Sequence, residues 1–203
     1  MNNLDKALSS FLEDIELAVP LAAVLAHASR AGGISYDEAK EIVNDKVEEV
    51  LLVANEWRLL IPTRVEKSSS WEDRQLLCKP GESYELPGVV QYLLQNAMKT
   101  GCWDPASAVS EVFKEIDEPA LGQIPELVRD LGKQAKHHRI SAAQVRQICI
   151  RLSLGDWVDV LIAELKVTGI MSPKLSPLAE VSRVGSPLYE LNPSLFLSKV
   201  GKE

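Results

Sequence analysis

Residues 33–62 read GISYDEAKEIVNDKVEEVLLVANEWRLLIP, and the fold is read outward from them. Ser35-Tyr36-Asp37-Glu38 is a capping box: the serine hydroxyl accepts the backbone N–H three residues on, and the glutamate reaches back to the serine N–H. The spacing predicts a helix from Tyr36 to about Val43, interrupted by Asn44-Asp45. Asp45 to Glu48 repeats the pattern with an aspartate start. Val47, Val50, Leu51 and Ala54 then fall at i, i+3, i+4, i+7, one face of a helix over Lys46–Trp57. Leu59–Val65 and Trp71–Lys79, separated by polar Glu66–Ser70, read as two strands joined by a hairpin tip.

Upstream, Pro20 suits a first helical turn, so Pro20–Ser29 reads as a nearly buried helix closed by Gly32-Gly33. Leu4, Ala7, Leu8, Phe11, Leu12 and Ile15 recur at helical spacing and predict an amphipathic first helix. The second half repeats the grammar. Ile124–His138 is amphipathic through Leu127, Val128, Leu131 and Ala135, and Ser141 with Gln144 forms another capping box for a helix to about Ser153. After Leu154-Gly155, Asp156 caps a helix carrying Val158, Leu161, Ile162 and Leu165 inward and ending at Thr168-Gly169. Ile170–Leu175 and Ser186–Pro193 read as strands around a tip. Between the halves, Pro87 opens a helix to about Lys99 and Asp104-Pro105 starts another. These read as a helical spacer or, alternatively, a dimerisation element.

The halves align by physical role. Gly33-Ile34-Ser35 corresponds to Arg139-Ile140-Ser141, and Leu60-Ile61-Pro62 to Ile170-Met171-Ser172-Pro173. In this pattern residues 17–80 and 124–196 resemble the winged helix-turn-helix domains of bacterial and archaeal transcription regulators. The expected organisation is mainly α with small β-wings (α+β): an N-terminal helix (1–16), a first winged-helix-like domain (17–80), a helical connector (81–123) and a second such domain (124–203). Winged helices also serve as protein-binding modules, so the resemblance leaves function open.

The 203 residues are 46% hydrophobic and 25% charged, enough apolar surface for a core without a cofactor. The longest apolar stretch, Leu17–Ala28, contains Pro20 and His27 and is shorter than the roughly 20 residues that span a bilayer. The opening Met1-Asn2-Asn3-Leu4-Asp5 lacks a basic region, so the expected location is cytoplasmic. Cys78, Cys102 and Cys149 form no C-x-x-C pair, and His27, His137 and His138 lack metal-ligand spacing, so no metal is expected. There is no phosphate loop, nucleophile elbow or recognisable triad. Acidic pairs such as Glu48/Glu49 read as solvated helix starts. A non-enzymatic protein is expected.

The formal net charge of −7 bears on partners. Residues 1–100 carry 10 Lys and Arg against 16 Asp and Glu, and residues 101–203 carry 12 against 13. The first unit's third helix offers Lys46, Glu48, Glu49, Asn55, Glu56 and Arg58 to solvent, a face that repels phosphate. The second unit's third helix offers Trp157, Asp159, Ala163, Glu164 and Lys166. Ahead of it, Arg129, Lys133, Lys136, Arg139, Arg146 and Arg151, joined by His137 and His138 and opposed only by Asp130, concentrate positive charge. These six are the candidate nucleic-acid contacts; the alternative is a set of solvated faces whose long side chains cover apolar surface. Trp157 is the candidate partner anchor, or else folds back on the wing. The primary expectation is DNA-associated transcriptional regulation through the second domain. The alternative is a protein-binding adaptor, with homodimerisation a further option.

Overall fold

The computed structural model of the chain describes residues 2–65, 70–120, 122–174 and 185–197. Its fold class is the expected one: mainly α with two small three-stranded antiparallel sheets. α1 (Asn3–Leu8) precedes a first unit of α2 (Ala18–Ala31), β1 (Gly33–Ser35), α3 (Tyr36–Val43), α4 (Val47–Glu56), β2 (Ile61–Pro62) and β3 (Ser83–Glu85). α5 (Gly88–Thr100) and α6 (Pro105–Glu115) connect it to a second unit of α7 (Ile124–Gln134), β4 (Arg139–Ser141), α8 (Ala142–Arg151), α9 (Val158–Val167), β5 (Met171–Pro173) and β6 (Leu188–Leu191). Both units run helix, strand, helix, helix, strand, strand.

Local chemistry explains the helix starts. Ser35 Oγ accepts from the Glu38 N–H at 3.2 Å and Glu38 Oε2 accepts from the Ser35 N–H at 2.8 Å. Ser141 and Gln144 make the same reciprocal pair at 3.2 and 3.0 Å. Each box satisfies two backbone donors that a helix start otherwise leaves orphaned.

The sheets are built alike. Ile34 and Pro62 flank Tyr84 in the order β1-β3-β2, while Ile140 and Pro173 flank Tyr189 in the order β4-β6-β5. Tyr84-Glu85-Leu86 thus corresponds to Tyr189-Glu190-Leu191. Gly33 is required by its neighbour strand, because a Cβ there would lie 2.5 Å from the Tyr84 carbonyl oxygen.

Two expectations are corrected. The first helix ends at Leu8 rather than reaching Ile15, since Ser10 Oγ and its N–H turn back to the Ala7 carbonyl and Ile15–Leu17 forms a separate 3-10 turn. Trp71–Lys79 is not the strand that pairs with Leu59–Val65. Trp71–Asp73 is a 3-10 turn, and the Trp71 N–H donates to Ser172 Oγ in the second unit at 3.0 Å. The ladder passes instead to β3. The strands β1 and β4 were legible only as helix starts, because three residues are too few to show alternation. Glu66–Ser69 of the first tip and residues 175–184 of the second lie outside the described residues.

One hydrophobic cluster runs from Leu4 to Leu195 through both units and the connector. Phe11 packs against Trp57 and Trp103, with ring centroids 4.9 and 5.0 Å apart. The units are also tied by polar groups. Arg58 donates from Nε to Glu190 Oε1 at 3.0 Å, with Nη2 2.9 Å from the same oxygen. Asn192 Nδ2 donates to the carbonyls of Arg58 and Gly169, and Lys174 pairs with Glu72. At the start of α5, the Val89 N–H donates to the Thr168 carbonyl at 2.8 Å. Gly169 permits this approach: its φ is +77°, and a Cβ would sit 2.4 Å from Pro87 Cβ.

Candidate interaction surface

The six candidate nucleic-acid residues lie on α7, the turn after it, β4 and α8, and all are exposed. They do not form an unopposed patch. Lys133 lies 3.0 Å from Asp130 Oδ1 and Arg151 2.7 Å from Asp130 Oδ2, so one carboxylate binds two cations. The hydrogen bond from Lys133, with the charges of Lys133, Arg151 and Arg129, holds Asp130 below the usual carboxylate range. Arg129 pairs with Glu126 at 3.3 Å, and Arg146 stands 3.9 Å from Asp159 on α9. The expectation that Asp130 alone opposes this set is therefore corrected: Glu126 and Asp159 join it. Helical spacing explains Glu126 and Asp130, which lie three residues before Arg129 and Lys133. Asp159 comes from another helix and needed the fold.

Lys136 and Arg139 have no acidic partner among the described residues. Their backbones bond each other at 3.0 Å in both directions, closing a turn in which His137 and His138 have φ of +49° and +58°. Burial pushes the His138 imidazole below its ordinary value, so it resists protonation. Among the described residues no cluster of three or more His, Cys, Asp or Glu could hold a metal ion, and no helix is long and apolar enough to cross a membrane.

α9 presents a different chemistry. Val158, Leu161 and Leu165 are buried, whereas Val160 is 48% and Val167 81% exposed. These two valines are seven residues apart on one outward face, and Trp157, 48% exposed, stands three residues before Val160. Ile150 at the end of α8 is 60% exposed and packs beside Gly155 in the turn that carries Trp157. Ile150, Val160 and Val167 were missed in the sequence. The available signal was that Val160 and Val167 lie outside the i, i+3, i+4, i+7 stripe that α9 buries.

Two residues expected in solvent are not there. Glu164 turns toward nearly buried Glu118 in the loop after α6, and burial together with a hydrogen bond and repulsion from Glu118 pushes its carboxyl up to about 7. Arg58 leaves the face of α4 for the buried pair with Glu190, both side chains being about 15% exposed or less than a fifth. The outward face of α4 keeps Glu48, Glu49 and Glu56 around exposed Leu52.

No curated protein and no solved structure matches the chain. A protein-family model matches residues 2–200, nearly the whole sequence, and the chain belongs to that family, to which no function is attached.

Proposed function

We propose that the chain is a non-enzymatic binding protein of two winged-helix-like units that docks another protein on the outward face of α9. The observation that carries this reading is the exposed set Trp157, Val160 and Val167, flanked by Ile150. A helix that reads DNA in such a unit presents Arg, Asn, Gln, Lys or Ser to base edges. Valines and a tryptophan offer bases little hydrogen bonding, whereas half-exposed tryptophan is a common anchor of protein interfaces. Glu126, Asp130 and Asp159 partly offset the basic set, and the net charge of −7 points the same way.

A second reading, DNA association through the second unit, is favoured by Lys136 and Arg139, which are free of acidic partners among the described residues. Mobility shift with random duplex DNA across a salt series separates the two. Docking of protein predicts no shift at physiological salt. DNA association predicts binding that weakens steeply with salt and a flatter slope after joint replacement of Arg139, Arg146 and Arg151. The positive test is co-purification from the native cell, comparing the wild-type chain with Trp157→Ala and Val160→Asp. A partner retained by the wild type and lost by both variants supports docking, and a partner retained equally by all three refutes it.

A further inference from the structure

We propose that the cleft where the two units meet binds a small organic anion with an apolar body. The cleft, about 480 Å³, lies between β2, the Trp71 turn, the start of α5, the outer end of α9 and β5. Its volume is within the roughly 300–1,000 Å³ of small-molecule sites. Ile61, Trp71, Leu86 and Met171 supply apolar wall, and Arg74, Lys166 and Glu85 supply the charge. Arg74 and Glu85 pair with each other, so Lys166 is the uncompensated charge of these three, and it favours an anion.

Of the two cations, Lys166 is placed to receive a ligand, and Arg74 is fixed by the protein itself. Arg74 is held by its bond to Glu85 and by Nη1 donating to the Pro62 carbonyl at 3.4 Å. Its Nε is buried and has no hydrogen-bond partner among the described residues, so Arg74 contributes charge to the cleft wall and not a bond from Nε. Lys166 is exposed and pairs with no acid among the described residues. Beside them α5, 13 residues long, starts with no side-chain cap, and the Gly88 N–H at the cleft wall has no acceptor among the described residues. Its helix dipole adds to the same sign. Dicarboxylic or sulfonated sugars would waste the apolar walls, and a neutral hydrocarbon would waste the cations. An anionic head on an aromatic or aliphatic body uses both. The cleft shares Val167 with the outward face of α9, but its other walls come from β2, the Trp71 turn, the start of α5 and β5.

The probe is 1-anilinonaphthalene-8-sulfonate titrated by fluorescence at neutral pH, with N-phenyl-1-naphthylamine as the same body without the charge. One saturable site is expected, with the uncharged compound at least about tenfold weaker. Lys166→Gln, an exposed change that leaves the core intact, is expected to weaken the sulfonate about tenfold and the uncharged compound little. Amide NMR locates the site: the Gly88 and Gly169 resonances should shift, while Gly122 and Gly132, which line a separate cavity of about 620 Å³ between α6 and α7, should not. Absence of saturable binding, equal affinity for the two compounds, no loss in Lys166→Gln, or shifts centred on Gly122 and Gly132 would each overturn the proposal.

Discussion

Replacing Arg58 by methionine should cost about 3–5 kcal/mol of folding stability, the range for removing one partner of a buried ion pair. Arg58 and Glu190 are 16% and 14% exposed; Nε and Nη2 of Arg58 go to Glu190 Oε1 and Nη1 donates to the Asn55 carbonyl, while Glu190 Oε2 is buried with no partner among the described residues. Without Arg58 the carboxylate keeps its desolvation cost and loses its cation. Methionine retains an apolar stem against the junction, so packing changes little. The backbone supplies an internal control. Arg58 has φ of +52°, in the left-handed region, where the equivalent position after α9 is Gly169. Arg58→Gly removes the pair and relieves strain of roughly 1 kcal/mol but also loses the buried stem, so it should fall within about 1 kcal/mol of Arg58→Met. The double variant Arg58→Met, Glu190→Leu buries neither charge and should return to within about 1 kcal/mol of wild type. Urea denaturation followed by circular dichroism gives the midpoints, with an unchanged slope required for the comparison. A cost for Arg58→Met below about 1 kcal/mol would place the pair with solvent-screened surface bridges and refute the reasoning. So would a double variant no more stable than the single.

Two further outcomes follow from the same structure. Glu164, raised from 4.5 to about 7, binds a proton in the native state that the unfolded chain releases, so the native state holds more protons between these values. Stability should therefore fall as pH rises from about 4.5 to 7, and Glu164→Gln should remove much of this fall and be the more stable protein at pH 8; melting temperatures that track wild type across the range would contradict this. Gly169→Ala and Gly81→Ala both place alanine at positive φ, but a Cβ meets Pro87 at 2.4 Å only at Gly169 and open space at Gly81. Gly81→Ala should cost about 1–2 kcal/mol by backbone strain alone and Gly169→Ala clearly more, and equal midpoints in urea would show that the approach of α5 to the end of α9 is not tight.

Local chemistry was legible wherever a pattern closes over a few residues. The capping boxes at Ser35 and Ser141, the apolar stripes of α4 and α9, and the repeated Ile-Ser before α3 and α8 announced two like units and their helix order, because each depends on neighbours within one or two turns. Strand partners are a different matter. Trp71–Lys79 has the apolar residues of a strand, yet Tyr84 takes the place between Ile34 and Pro62, and Trp71 is drawn to Ser172 some 100 positions away. Pairing of two- and three-residue strands is chosen by burial and register across the sheet, information that no local window contains. Charge is likewise partnered through space. Composition established a basic segment before α9, but only the packing of α7, α8 and α9 brought Asp130 to Arg151 and Asp159 to Arg146. It also took Arg58 and Glu164 out of solvent and left Val160 and Val167 in it. The sequence by itself determined two mainly helical units with their caps and turns; tertiary structure decided the strand order, the ion pairs between units and the outward face of α9, because these depend on which surfaces meet after the helices have formed.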